Sequence, residues 1–284
     1  MFFCKSPPCV PIPGTRKNIS GAIFLTSFDG TPNEFVIDIF SEDLLLYLTF
    51  RYWVLKGFNC SGASTQTTFG KGQLLILGFM GTVIKNQTEA MFVDDFVKAS
   101  LLSKQTGAKV LEVNLSCPNI GNEGLVCYDL KITEKICKSI RKTIDNTPLI
   151  IKVGYYYNNR DVETIAKIAN EYANAIAGIN TIQVAIVDKN GNQALPGPNR
   201  LKNGVGGHTI KWLGIEMVKK LNLIRSKKNY KFQIVGIGGV LIPEDYFEYR
   251  KAGADAVQST TGAMWNPYLA YEIWSRLHPE GGYR

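Results

Sequence analysis

Val110-Leu-Glu-Val-Asn114-Leu-Ser-Cys117-Pro-Asn119 places two carboxamides and a thiol within six residues, directly after an apolar run rich in β-branched side chains. A run of this kind that ends in a polar cluster with a proline reads as a buried strand delivering side chains into a loop. Each Asn offers an acceptor oxygen and two donor hydrogens, which suits the lactam and imide edges of a pyrimidine-like ring. Cys117 can serve as a proton acceptor or nucleophile where its surroundings favour the thiolate. The plainer alternative is a buried Cys packing as a small hydrophobe beside Asn side chains that cap turns.

Working outward from this strand, apolar runs alternate with amphipathic stretches from Gln73 onward, the pattern of βα units. The strand-like runs are Leu74–Phe79, Val110–Leu115, Leu149–Val153, Ile179–Ala185, Phe232–Ile237 and Ala256–Ser259. Between them lie helical stretches at Glu89–Leu102, Ile132–Ile144, Val162–Tyr172, Ile210–Ile224 and Pro243–Ala252, with Pro267–Leu277 closing the chain. Strands linked by crossover helices predict a parallel sheet with right-handed connections. The 284 residues suit a single α/β barrel. Eight strands require two more from residues 1–72, where Ala22–Thr26 and Phe35–Phe40 are candidates without evident helices after them.

Composition narrows the function classes. A hydrophobic fraction of 45% and a charged fraction of 20% describe a globular chain with ample core. The net charge of +8 is spread over scattered Lys and Arg with no nucleic-acid motif, so it reads as solvated surface and a general attraction for anions. Cys4, Cys9, Cys60, Cys117, Cys127 and Cys137 form no CxxC pair, and only two histidines accompany them, so a metal site is not expected. No signal-peptide pattern opens the chain, which predicts reduced thiols in the cytoplasm. The apolar run Leu44–Phe58 contains Arg51 and Lys56 and is too short to span a bilayer, so no membrane role is expected.

Other residues extend the candidate site. Lys152 sits near the end of the apolar strand Leu149-Ile-Ile-Lys-Val-Gly154, where a buried ammonium needs an anion unless it snorkels to solvent. Asn180-Thr181 supplies a carboxamide and a hydroxyl that could face the carboxyl edge of the sheet or simply form a turn. Three turns follow late strands: Gly204-Val-Gly206-Gly207, Gly236-Ile-Gly238-Gly239 and Gln258-Ser-Thr260-Thr261-Gly262. Singly each is an ordinary turn; together they suit a phosphate cup, because glycine lets backbone N–H groups approach phosphate oxygens. His208 and the pair Cys4 and Cys9 have no partner at ligand spacing and read as structural.

The motif Asn114-Leu-Ser-Cys117-Pro-Asn119 resembles the active-site loop of class 1 dihydroorotate dehydrogenases, flavoenzymes of pyrimidine synthesis, and the resemblance runs from about Phe69 to about Tyr271. It implies a TIM-type (β/α)8 barrel carrying FMN, in one domain over residues 1–284 with an atypical part at 1–72 and recognisable βα units at 73–277. It implies Cys117 as the catalytic base that removes the C5 proton of dihydroorotate while hydride passes from C6 to the flavin. Asn114, Asn119, Asn180 and Thr181 would hold the substrate, and Lys152 would lie against the flavin ring. Gly206, Gly207, Gly238, Gly239 and Thr260 or Thr261 would hold its phosphate. The family's Lys-Ser/Thr flavin pair finds its nearest match in Lys5-Ser6, which would leave about one βα unit missing from the amino terminus. Its Asn-bearing substrate loop has no clear counterpart in Thr49–Gln66. A homodimer and an electron acceptor, fumarate in the cytoplasmic subclass, are further implications. Two alternatives stand beside this: a non-catalytic or truncated barrel descendant, and a relative of the dihydropyrimidine dehydrogenase catalytic domain.

Overall fold

Asp129 shows how local sequence sets the helices of this chain. Its carboxylate accepts from the amides of Lys131 and Ile132, which starts the helix Leu130–Ile144. Ile132, Ile136, Ile140 and Ile144 then recur every fourth residue and form its buried stripe, while Arg141 and Lys142 in the last turn complement the dipole. Thr88 and Asn158 cap two further helices in the same way.

A computed structural model describes residues 22–27, 35–40, 73–82, 86–116, 126–198 and 200–279. The order is β1 (Ala22–Ser27), β2 (Phe35–Phe40), β3 (Gln73–Phe79), α1 (Glu89–Gln105), β4 (Val110–Asn114), α2 (Leu130–Ile144), β5 (Leu149–Val153), α3 (Asn159–Tyr172) and β6 (Ala175–Gly178). There follow β7 (Ile182–Ala185), β8 (Lys202–Val205), α4 (Lys211–Lys228), β9 (Gln233–Ile237), α5 (Pro243–Ala252), β10 (Ala256–Gln258), α6 (Thr261–Trp265) and α7 (Leu269–Leu277).

The main sheet has eight strands in the order β1-β2-β3-β4-β5-β6-β9-β10, and β1 also lies beside β10. From β2 to β10 every pairing is parallel. β1 instead runs antiparallel to β2, from Ala22 opposite Phe40 to Ser27 opposite Phe35. The fold is thus a TIM-type barrel in which an antiparallel strand stands between β10 and β2. Among the described residues no helix stands between β1 and β2.

One expectation needs correction. The run Ile179–Ala185 is not the fourth parallel strand: the barrel strand is Ala175–Gly178, and Ile182–Ala185 pairs antiparallel with Lys202–Val205 in a separate two-stranded sheet. Four buried residues, three of them small, make β6, whereas three of the four residues of β7 are exposed. The closing helix expected at Pro267–Leu277 is present as α7, and the short α6 before it, ended by Asn266, is an additional element.

Strand parity divides the core in two. Leu111, Val113, Ile151, Val153, Ile176 and Ile234 pack outward against the helices. Ile76, Ile150, Ala175, Ala177, Val235, Ile237 and Ala256 point into the barrel and fill its interior. The inward parity of β4 and β5 also carries Glu112, Asn114 and Lys152, so the barrel interior turns polar toward the carboxyl ends of its strands.

Candidate functional site

At those carboxyl ends lies a cavity of about 300 Å³, within the range of small-molecule sites. Asn114, Lys152, Asn180, Thr181, Gly206, Gly207, Gly238, Gly239, Thr260 and Thr261 all line it. Every site residue expected from the sequence that falls among the described residues is therefore brought to one place. Cys117, Asn119, Lys5 and Ser6 lie outside the described residues, as does Thr49–Gln66.

Asn114, the last residue of β4, is 8% exposed. Its Oδ1 accepts from the amide of Ser116 at 3.1 Å, the hydroxyl of Ser116 at 3.2 Å and Nδ2 of Asn180 at 3.3 Å. Among the described residues no acceptor meets its Nδ2, so what it can offer a ligand is a donor. Asn180 Nδ2 also donates to Ser116 Oγ at 3.0 Å, and Asn180 Oδ1 accepts from the Thr181 amide at 2.7 Å. Asn180 and Thr181 follow the end of β6 rather than lying within a strand, which places them at the rim with the other site residues. Thr181 Oγ1 is buried and has no hydrogen-bond partner among the described residues.

Lys152 does not snorkel. Its side chain is 7% exposed, and Nζ stands 3.2 Å from Oε1 of Glu112, itself 1% exposed. Gln258, reaching across the barrel from β10, donates Nε2 to the other carboxylate oxygen at 3.0 Å. Sequence reading passed over Glu112 and named Gln258 only as the start of a turn. The available signal was the spacing of Glu112 two residues before Asn114, which gives both the same inward face.

The glycine turns touch one another. Gly207, Gly238 and Gly239 have φ of 79°, 120° and 69°, a region that side chains other than glycine rarely adopt. A Cβ on Gly239 would lie 2.8 Å from the Gly207 carbonyl oxygen. His208 is exposed, and its Nδ1 lies 3.3 Å from the Gly239 carbonyl, which links the two turns. Tyr249, fully buried on α5, donates its hydroxyl to the Gly238 carbonyl at 2.7 Å. These loops and Lys152 fit a phosphate-bearing planar cofactor: backbone cradles where a Cβ would intrude, a cation at a strand end, and uncommitted buried oxygens on Thr181 and Gln258.

Ser116 and the 3-10 turn Val126–Tyr128 flank the stretch of sequence that holds Cys117. These flanks are joined, because the Cys127 amide donates to the Leu115 carbonyl at 2.8 Å and the Leu115 amide to that of Lys152 at 3.0 Å. Tyr156 adds a hydroxyl donated to the Cys127 carbonyl at 2.6 Å. Cys127 and Cys137 are buried, and loss of solvation pushes both thiols up to about 12, so neither is a thiolate near neutral pH. No described helix is long and apolar enough to cross a membrane.

The family model described as dihydroorotate dehydrogenase matches residues 57–279. A dihydroorotate dehydrogenase of Dictyostelium discoideum is 34% identical over 73% of this chain and 56% of its own length. The catalytic subunit of a dihydroorotate dehydrogenase B (NAD+) from Maridesulfovibrio salexigens is 31% identical over 63% of this chain and 56% of its own. A dihydroorotate dehydrogenase A (fumarate) from Limosilactobacillus reuteri is 28% identical over 65% of this chain and 58% of its own. The chain thus spans little more than half the length of these relatives. In fold it is similar to the crystal structure of DHODH from Eimeria tenella in complex with ferulenol, with a TM-score of 0.58 and 16% identity over 72% of this chain and 57% of that one.

Proposed function

Because the chain belongs to the dihydroorotate dehydrogenase family, we propose that it binds FMN in the cavity at the strand ends and oxidises dihydroorotate to orotate, a step of pyrimidine biosynthesis. The observation that carries this reading is the convergence of the Asn114 and Asn180 carboxamides, the Lys152 ammonium and the paired glycine turns on one cavity.

In this reading the Asn114 donor, the Thr181 hydroxyl and the carboxamides of Asn119 and Asn180 orient the substrate ring. Cys117 takes the C5 proton as general base. FMN, when bound, supplies the two-electron acceptor for the C6 hydride, so that a C5–C6 double bond forms as both hydrogens leave. Lys152 would set a positive charge beside the flavin, and Gly206, Gly207, Gly238 and Gly239, with Thr260 or Thr261, would hold its phosphate. Lys5 and Ser6 complete the cofactor set by resemblance, within a single domain over 1–284. Fumarate is the proposed final acceptor, the one named for the Limosilactobacillus relative; a cytoplasmic homodimer goes with that subclass.

Anaerobic addition of dihydroorotate to purified, FMN-reconstituted protein tests the proposal, and the flavin absorbance should bleach with orotate formed in equal amount. Retained FMN without bleaching would favour a non-catalytic descendant. Bleaching by dihydrouracil in place of dihydroorotate would favour the dihydropyrimidine dehydrogenase-like reading.

A further inference from the structure

Glu112 is a charged group that the proposed chemistry leaves without a task. It is wholly buried inside the barrel, two residues before Asn114 on β4, where an isolated carboxylate would be strongly disfavoured. Two groups meet it from different strands: Lys152 Nζ at 3.2 Å from β5 and Gln258 Nε2 at 3.0 Å from β10. The Lys152 contact is an ion pair without hydrogen-bond alignment, for Glu112 Oε1 has no hydrogen-bond partner among the described residues. Lys152 and Gln258 line the cavity whereas Glu112 does not, so the carboxylate sits beneath the floor and acts through what stands on it.

We propose that Glu112 is a positioning residue and counter-charge: it holds the Lys152 ammonium at the cavity floor and offsets its charge, and thereby lowers the reduction potential of the cofactor bound above. Gln258 fixes the carboxylate by occupying its second oxygen. The inference rests on the FMN reading given above. Its physical basis is that a cation beside the cofactor favours electron uptake, while an anion about two strand residues deeper, some 7 Å by the rise of a strand, opposes it. In a site of low polarisability both effects persist over that distance.

The test measures FMN content and two-electron midpoint potential in the parent chain, Glu112→Gln, Glu112→Asp, Lys152→Gln and the double variant Glu112→Gln/Lys152→Gln. Removing the carboxylate should favour reduction by roughly tenfold, a rise of about 30 mV for a two-electron couple. Glu112→Asp, which keeps the charge, should return the potential toward that of the parent. Should Glu112→Gln fail to fold because it removes the counter-charge of a buried ammonium, the double variant compared with Lys152→Gln reads the same effect, and its potential should be the higher. A parent that takes up no FMN overturns the cofactor reading and this proposal with it. FMN uptake with equal potentials within each pair overturns this proposal alone.

Discussion

Replacing Tyr249 by Phe isolates one hydrogen bond that holds a site turn. The ring threads between β9 and α4 because glycines stand there: a Cβ on Gly236 would lie 2.3 Å from Tyr249 Cδ1, and one on Gly214 would lie 1.9 Å from Oη. At the end of this slot the hydroxyl donates to the Gly238 carbonyl at 2.7 Å and lies 3.1 Å from that of Ile237. Ile237 keeps a second donor, the Ile179 amide at 2.8 Å. Phe therefore leaves the Gly238 carbonyl as the newly unsatisfied group, with no cavity beyond the missing oxygen. A buried acceptor left unmade costs about 1–3 kcal/mol, and a loss of about 2 kcal/mol corresponds to a fall in Tm of roughly 4 °C in a chain of this size. Urea unfolding should show a lower midpoint at unchanged slope, and FMN affinity should fall because the 238–239 turn is loosened. Gly214→Ala supplies a second arm. Its Cβ meets both the Tyr249 hydroxyl and, at 2.7 Å, the Ile237 carbonyl oxygen, so it should cost less in the Phe background, where the first clash is gone. Stability within about 0.5 kcal/mol of the parent, with unaltered FMN affinity, would refute the idea that this hydroxyl organises the turn.

Other consequences are equally open to measurement. Gly239→Val forces a Cβ to within 2.8 Å of the Gly207 carbonyl oxygen and of Lys211 Cβ at a φ of 69°, and should abolish FMN retention; normal flavin content would show the phosphate cup to be misplaced. Cys117→Ala should slow flavin bleaching by dihydroorotate about 100-fold or more with FMN still bound, while Cys117→Ser should move the pH optimum upward, both followed by stopped-flow absorbance. Burial raises the Cys127 and Cys137 thiols from 9.0 to about 12, so the unfolded chain releases these protons first. Their contribution is whole below the unfolded pKa and is lost as pH rises from about 9 toward 12, by up to about 1.4 kcal/mol per pH unit for each thiol. Urea midpoints across that range should fall, and Cys137→Ala should flatten the slope.

The sequence disclosed the barrel through its helices and longer strands, since the isoleucines of α2 and the β-branched run of β4 have the periods of their elements. It disguised β6. Ala175-Ile-Ala-Gly178 is short and small because the barrel interior and α3 crowd it from both sides, while the more strand-like Ile182–Ala185 forms an exposed ribbon. The cavity residues were legible as separate motifs because each follows a strand. Glu112 and Gln258 were not, for a single charge or amide within an apolar run looks incidental until the ring of strands brings β4 and β10 face to face across the interior. Lys152 pointed the way: a lysine in a strand buried on both faces demanded an anion, and the protein supplies one.

The ribbon of β7 and β8 interrupts the chain between two groups of cavity residues, Asn180-Thr181 just before it and Gly206-Gly207 just after. Its base pairs Ile182 with Val205, which sets Thr181 against Gly206 so closely that a Cβ on the glycine would lie 3.4 Å from Thr181 Cγ2. The ribbon therefore works as a spacer whose base is fixed and whose far end is free to vary. Chain added or removed near its tip at 188–192, in matched amounts on both limbs, leaves the rim where it is, and this is the place to split the polypeptide or graft a tag. A slip of one residue at the base has the opposite result, turning every side chain of the limb over and carrying Thr181 away from the glycines.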